Sequence, residues 1–206
     1  MNTCYIVGAA PSCARFAPDE SDFVIAADGG HQTLSRMGIR PNLVVGDFDS
    51  SEVPSGVDIL RFPKEKDDSD TVLAVKEGIA RGFEYFLLYG CTGGRADHYF
   101  ATVQTLYHIA REGFHGYLVG DAMVSTVIVN RSLHFSPNGI VSVFSLTDES
   151  QGVDIEGLKY PLSNATLCND IPLGLSNEGT GAPAKISVKR GALYVMWEDP
   201  AAKEEV

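Results

Sequence analysis

Hydrophobic positions along this chain follow two rhythms, and the change falls near Val129. Before it, near-continuous apolar runs alternate with stretches of helical period. "CYIVGAA", "FVIAADGG", "NLVVGDFD", "DILRFP", "EYFLLYG" and "GYLVGD" read as strands. "SDTVLAVKEGIARG" sets Val72, Val75 and Ile79 on one helical face and offers Gly82 as its C-terminal stop. "RADHYFATVQTLYHIAREG" does the same with Phe100, Val103, Tyr107 and Ala110, and stops at Gly113. Apolar strands alternating with helices predict an α/β unit with a doubly wound, mostly parallel sheet covered on both faces. After Asn130 come short, often alternating runs, "GIVSVFSL", "GVDIEG", "AKISVKR" and "ALYVMWE", split by Gly, Pro, Asn and Asp. They predict a C-terminal antiparallel β-sandwich. The expected division is 1–129 and 130–206, with "AMVSTVIVN" able to close either part.

The polar residues of the first part collect just past its strands. Gly8 follows the first, Asp28-Gly29-Gly30 the second, and Asp47 with Asp49 the third. The fourth leads to Lys64, Lys66, Asp67, Asp68 and Asp70, and the fifth to "GCTGGRADH". Ligands of open α/β sheets bind outside the carboxyl ends of the strands. Residues far apart in sequence are therefore expected along one edge, which is the pattern of an enzyme.

Each piece also has a plainer reading. Asp28 fits a capping turn for the helix carrying Leu34 and Met37 as well as it fits a site. Asp47 and Asp49 fit an Asx turn, but residues i and i+2 of an extended chain point the same way, so both carboxylates can reach one ion. Mg²⁺ takes one or two carboxylates, keeps waters and accepts phosphate oxygens. In "KEKDDSDT" one of Asp67, Asp68 and Asp70 suffices as a cap, and Asp70 is read as a further acid of the site. Lys64 and Lys66 are candidate phosphate contacts. Gly93 and Gly94 let backbone amides approach an anion at a helix start, and Arg95 adds a planar donor fork. Asp97 and His98 follow directly, and an acid there is expected if a metal shares the crevice. Neither a P-loop nor a G-x-G-x-x-G motif is present. His31, His108, His115 and His134 form no ligand-spaced pair.

Composition narrows the picture. The 206 residues are 44% hydrophobic and 21% charged, an ordinary globular balance. The net charge of −11 argues against nucleic acid as a partner. Four scattered cysteines without a C-x-x-C pair point to neither zinc nor a disulfide framework. "MNTCYIVGAAPS" lacks the basic start of a signal peptide, and no apolar stretch reaches the ~20 residues of a membrane span. The expectation is a soluble cytoplasmic protein with no membrane partner.

In order, "AADGG", "VVGDFDS", "KDDSDT", "GCTGGRADH", "EGLKYPL" and "GLSNE" resemble the thiamin pyrophosphokinase (thiamine diphosphokinase) family from about Ile6 to the last strand. The resemblance implies a Rossmann-like nucleotide-binding domain joined to a β-sandwich. It implies a homodimer with the active site between subunits, and transfer of the pyrophosphoryl group of ATP to thiamine with release of AMP. Asp47, Asp49, Asp70 and Asp97 would handle Mg²⁺ and the polyphosphate. Asp28, Gly29, Lys64, Lys66, Gly93, Gly94, Arg95 and His98 would lie along the nucleotide. Ser176 and Asn177 would meet thiamine from the partner subunit. Trp197 stands as a stacking platform or as packing. Either Asp70 or Asp97 would accept the alcohol proton. Rival readings are a pyrophosphokinase for a pterin-like alcohol, a thiamine or nucleotide sensor without catalysis, and a Mg²⁺-dependent phosphohydrolase.

Overall fold

The computed structural model describes residues 2–11, 13–47, 55–63, 65 and 67–199. The chain divides into two compact units, Met1–Thr105 with Gly113–Asp121, and Leu106–Glu112 with Ala122–Val206.

The first unit contains β1 (Thr3–Val7), β2 (Phe23–Ala27), α1 (Gly30–Arg36), β3 (Leu43–Gly46), β4 (Asp58–Arg61), α2 (Asp70–Ala80), β5 (Tyr85–Tyr89), the start of α3 (Ala96–Arg111) and β6 (His115–Val119). Its strands lie in the order β6-β5-β1-β2-β3-β4, and every neighbouring pair is parallel. The chain winds from β1 toward β4, then resumes at β5 on the other side of β1. That reversal opens a crevice at the carboxyl ends of β1 and β5.

Alternation along β1 serves both faces. Tyr5 and Val7 join a cluster with Val24, Ala26, Leu34, Val44 and Tyr89. On this face Phe16 stacks on Tyr89 at 4.3 Å and on Tyr5 at 5.1 Å, drawing the segment after β1 back over the sheet. Cys4 lies on the other face beneath α2, where a Cβ on Gly78 would stand 3.0 Å from the Cys4 Sγ and 2.7 Å from the Phe86 ring.

Helix α2 starts at Ser69, whose hydroxyl accepts from the Val72 N–H at 3.4 Å. The cap is therefore Ser69, not one of the neighbouring aspartates. The helix ends in a Schellman arrangement: Gly82, at φ +86°, donates to the Ile79 carbonyl, and Phe83 donates to that of Gly78. Its buried residues are Ala74, Val75 and Gly78, so the inward face lies beside the expected Val72–Val75–Ile79 stripe. In α3 the difference is larger. Val103, Leu106, Ile109 and Ala110 are buried with Thr102 and Thr105, whereas Phe100 is 61% exposed. The two threonines turn their hydroxyls onto the helix's own carbonyls, at His98 and Ala101, and so can occupy apolar positions.

The second unit adds β7 (Met123–Val129), β8 (Ser132–Phe135), β9 (Asn138–Ser145), β10 (Glu149–Glu156), β11 (Leu162–Cys168), β12 (Gly174–Thr180), β13 (Ala184–Ser187) and β14 (Ala192–Glu198). Its antiparallel strands run β12-β9-β14-β7 in one sheet and β11-β10-β13-β8 in the other. Val141, Val143, Leu193 and Val195 from the first sheet share one core with Val153, Ile155, Leu167 and Ile186 from the second. Burying each such side chain is worth about 1.5–3 kcal/mol. This is the expected sandwich. Strands β8, β11 and β12 add to the expected set, and β12 runs through a stretch that reads as turns.

Candidate active site

The crevice edge is built around close backbone contacts. Gly30 opens α1 directly against β1: a Cβ there would fall 1.8 Å from the Val7 carbonyl oxygen, so no other residue fits. Across the switch point the Gly8 N–H donates to the Tyr89 carbonyl and the Ala10 N–H to that of Gly90, each at 2.8 Å. Gly90 turns at φ +61°, and a Cβ on it would stand 2.5 Å from the Gly8 oxygen. The loops after β1 and β5 are thus fastened to one another.

Asp28 follows β2 at φ +49°, a left-handed conformation that aspartate tolerates better than most residues. Its N–H still donates to the Val45 carbonyl at 2.7 Å. Its carbonyl meets Nδ1 of the buried His31 at 3.0 Å. The N-cap of α1 is Gly29, with no side-chain cap, so Asp28 does not serve as the capping side chain. A Cβ on Gly46 would lie 3.2 Å from the Asp28 Cα and 3.8 Å from its Cβ. Asp28 and the end of β3 are therefore side by side, and Asp47 is the next residue. Asp49, Lys64 and Lys66 lie outside the described residues.

Asp70 is the first residue of α2. The adjacent Thr71 side chain hydrogen-bonds the Cys91 thiol, which also interacts with the Gly8 backbone. The Cys91 Sγ donates to the Tyr89 carbonyl at 3.3 Å. The start of α2 is thereby tied to the glycine-rich loop. Burial pushes the thiols of Cys13 and Cys91 up to about 11 and about 12, so neither is an activated nucleophile. Asp68 is committed elsewhere, paired with Lys76 at 2.6 Å.

In the glycine-rich loop, Gly93 and Gly94 are exposed, and a Cβ on Gly94 would touch Pro11 and Ala10 of the β1 loop at 3.5 and 3.8 Å. Arg95 grips both carboxylate oxygens of Asp97, Nε to Oδ1 at 3.1 Å and Nη2 to Oδ2 at 2.6 Å. The His98 N–H also donates to Oδ1 at 3.0 Å. This pairing holds the Asp97 carboxyl below the usual aspartate range, chiefly through the Arg95 hydrogen bond.

The donors offered along this edge are carboxylate oxygens, a set suited to a hard cation such as Mg²⁺. Among the described residues no group of three or more His, Cys, Asp or Glu is gathered to hold a metal. An ion bound by one or two carboxylates and by substrate phosphates needs no such group.

In the second unit, β12 pairs with β9 through a register shift between Gly174 and Asn177. Ser176 sits in that irregularity at φ +58°, its N–H donating to the Ser142 hydroxyl at 3.1 Å. Asn177 is buried and clasps the Tyr160 backbone: its Nδ2 donates to the Tyr160 carbonyl at 2.7 Å, and its Oδ1 accepts from the Tyr160 N–H at 3.0 Å. Oδ1 also accepts from the Glu178 N–H at 2.8 Å. Tyr160, so placed, is 58% exposed. Trp197 packs edge-on to Phe135 at 5.2 Å, against the sandwich core. The Asn177–Tyr160 clasp escaped the sequence reading. Its only signal was that "LKYPL" and "LSNE" occur together, since their separation along the chain hides the contact.

Residues 17–118 match the thiamin pyrophosphokinase catalytic domain, and residues 126–193 match the thiamin pyrophosphokinase vitamin B1 binding domain. Thiamine pyrophosphokinase of Bacillus subtilis (strain 168) is 26% identical over 198 residues, spanning 86% of this chain and 88% of that relative. The crystal structure of thiamin pyrophosphokinase from Geobacillus thermodenitrificans aligns at 27% identity with a TM-score of 0.84, covering 96% of this chain and 97% of its own. The crystal structure of thiamine pyrophosphokinase from Bacillus subtilis aligns with a TM-score of 0.88 at 22% identity, covering 97% and 100%, and shows the same fold. No described helix is long and apolar enough to cross a membrane. With a catalytic-domain match and a vitamin-binding match in tandem along one chain, this protein belongs to the thiamin pyrophosphokinase family.

Proposed function

We propose that the protein is a cytoplasmic, homodimeric, ATP-dependent thiamine diphosphokinase whose catalytic and nucleotide-binding residues lie in the 1–129 part and whose thiamine contacts lie in the 130–206 part. The observation that supports this most directly is the side-by-side seating of Asp28 and the Gly46–Asp47 strand end, next to a fastened glycine-rich loop.

In this reading Asp47, Asp49, Asp70 and Asp97 are the residues that would hold Mg²⁺. The ion, when bound, supplies charge neutralisation for the polyphosphate. Asp28, Gly29, Lys64, Lys66 and His98 line the nucleotide. The Gly93 and Gly94 amides and the Arg95 guanidinium take phosphate oxygens in a fixed geometry. Transfer then rests on positioning and charge stabilisation, without a protein nucleophile. Asp70 accepts the proton of the thiamine alcohol as its oxygen approaches the β-phosphorus in line with departing AMP. Asp97 is less available for that role, because Arg95 already grips both of its carboxylate oxygens. Ser176 and Trp197 meet thiamine, and Asn177 serves the same pocket through the Tyr160 backbone it clasps. The second subunit completes the site.

The test is a product assay with ATP, Mg²⁺ and thiamine that separates AMP from ADP. AMP and thiamine diphosphate are expected mole for mole, and only when thiamine is present. ADP would mean γ-phosphoryl transfer and overturn the acceptor geometry. Asp47→Asn is expected to fold normally and lose at least ~100-fold in turnover, as loss of a preorganised charge-stabilising group does. Near-wild-type turnover in that variant would remove Asp47 from the site.

A further inference from the structure

Thr92 stands in the middle of the glycine-rich loop, and its hydroxyl is sealed from solvent with no hydrogen-bond partner. It is the one buried side-chain oxygen or nitrogen among the described residues left in that state. A threonine hydroxyl has one donor and two acceptor positions to satisfy. Burying it unmet opposes folding, and native structures retain few such groups without a use for them. Its surroundings are otherwise well connected. The preceding Cys91 thiol is held by the Tyr89 carbonyl and by Thr71. The following residues lead through Gly93 and Gly94 to Arg95, already paired with Asp97. The residue as a whole is only half-buried, so the sealed atom is the hydroxyl oxygen and not the entire side chain.

We propose that Thr92 is a further polyphosphate-binding residue whose hydroxyl is held in reserve until nucleotide enters the loop. Rotation about χ1 exchanges the positions of hydroxyl and methyl on Cβ, a movement between staggered states that displaces no backbone. The hydroxyl then donates to a phosphate oxygen beside the Gly93 and Gly94 amides, and its unmet hydrogen bond is made only in the complex. The inference rests on the nucleotide reading of this loop given above.

It predicts opposite signs for stability and affinity, which a purely structural threonine does not. Thr92→Val keeps the shape and removes the orphaned hydroxyl. Its melting temperature without ligand is expected to equal or exceed that of the wild type. Its affinity for a non-hydrolysable ATP analogue with Mg²⁺, measured by titration calorimetry, is expected to fall roughly 10-fold or more, as for a lost hydrogen bond to a charged group. Thr92→Ser retains the hydroxyl and is expected to bind within about twofold of wild type. Inorganic tripolyphosphate is expected to show the same loss in Thr92→Val, because the contact is to phosphate. Equal affinity of Thr92→Val and wild type overturns the proposal, as does a melting temperature that falls together with affinity. A loss confined to the ATP analogue also overturns it, by placing the contact off the phosphates. If the wild type binds neither probe, the nucleotide reading itself fails and this inference falls with it.

Discussion

Asp28 adopts a backbone conformation open to few side chains, at the position where the proposed function places a carboxylate. Its φ of +49° lies in the left-handed region, where residues other than Gly, Asn and Asp are strained. Asn accepts that region as readily as Asp, so Asp28→Asn is expected to melt with the wild type while losing ~100-fold in turnover. Asp28→Ala should lose activity and about 1 kcal/mol of stability together, because alanine lacks the local bonding that eases this turn. Thermal unfolding beside steady-state rates checks both, and wild-type turnover in Asp28→Asn would take Asp28 out of the reaction. The sequence shows that an acid stands here, since a strand ending in Asp-Gly-Gly marks a turn at the sheet edge. It does not show the left-handed turn that sets Asp28 beside Gly46, because that depends on how closely β2 and β3 pair. Asn177 is the opposite case. Its place in "LSNE" suggests ligand binding, but both backbone groups of Tyr160 already claim its amide.

Among the elements, α2 links stability to the proposed site. Its cap, Ser69, immediately precedes Asp70, and Thr71 fastens on the Cys91 thiol. Ser69→Ala is expected to cost about 1 kcal/mol, as loss of an N-cap does, and also to raise the KM for ATP, because the first turn carries Asp70 and the Thr71 link to the glycine-rich loop. A lower melting temperature with unchanged KM would mean that α2 is fixed by packing alone. The parallel strands and the two long helices are legible because burial on both sides imposes unbroken apolar runs, and a buried helical face imposes its own period. Strands β11 and β12 are not, since Leu167 is their one buried large apolar residue and the rest are mostly small or polar, which leaves no alternation to read. The inward face of α3 was misjudged for a related reason. Threonines that bond their own helix pass for polar, and Phe100 passes for core.

At the scale of the molecule, three thiols couple the fold to alkaline pH. Burial raises Cys4, Cys13 and Cys91 from an ordinary value of 9.0 to about 12, about 11 and about 12. The folded state therefore keeps protons that the unfolded chain releases near pH 9. This contribution is complete below pH 9 and is lost as pH climbs through 9 toward 11 and 12. Each thiol changes stability by at most ~1.4 kcal/mol per pH unit in that window. The urea midpoint, measured under reducing conditions, is expected to fall between pH 8 and pH 10.5, and to fall less in Cys13→Ala. An identical fall in the two proteins would show that the Cys13 thiol is not sealed.

Cys4 also has a use outside the chemistry of the site. Its sulfur lies under α2, with Gly78 close above it, so an alkylating reagent reaches it only when that helix lifts from the sheet. The rate at which Cys4 is modified is thus a clock for local opening of the element that presents Asp70. Any ligand that seats α2 more firmly slows that clock, whether or not turnover follows.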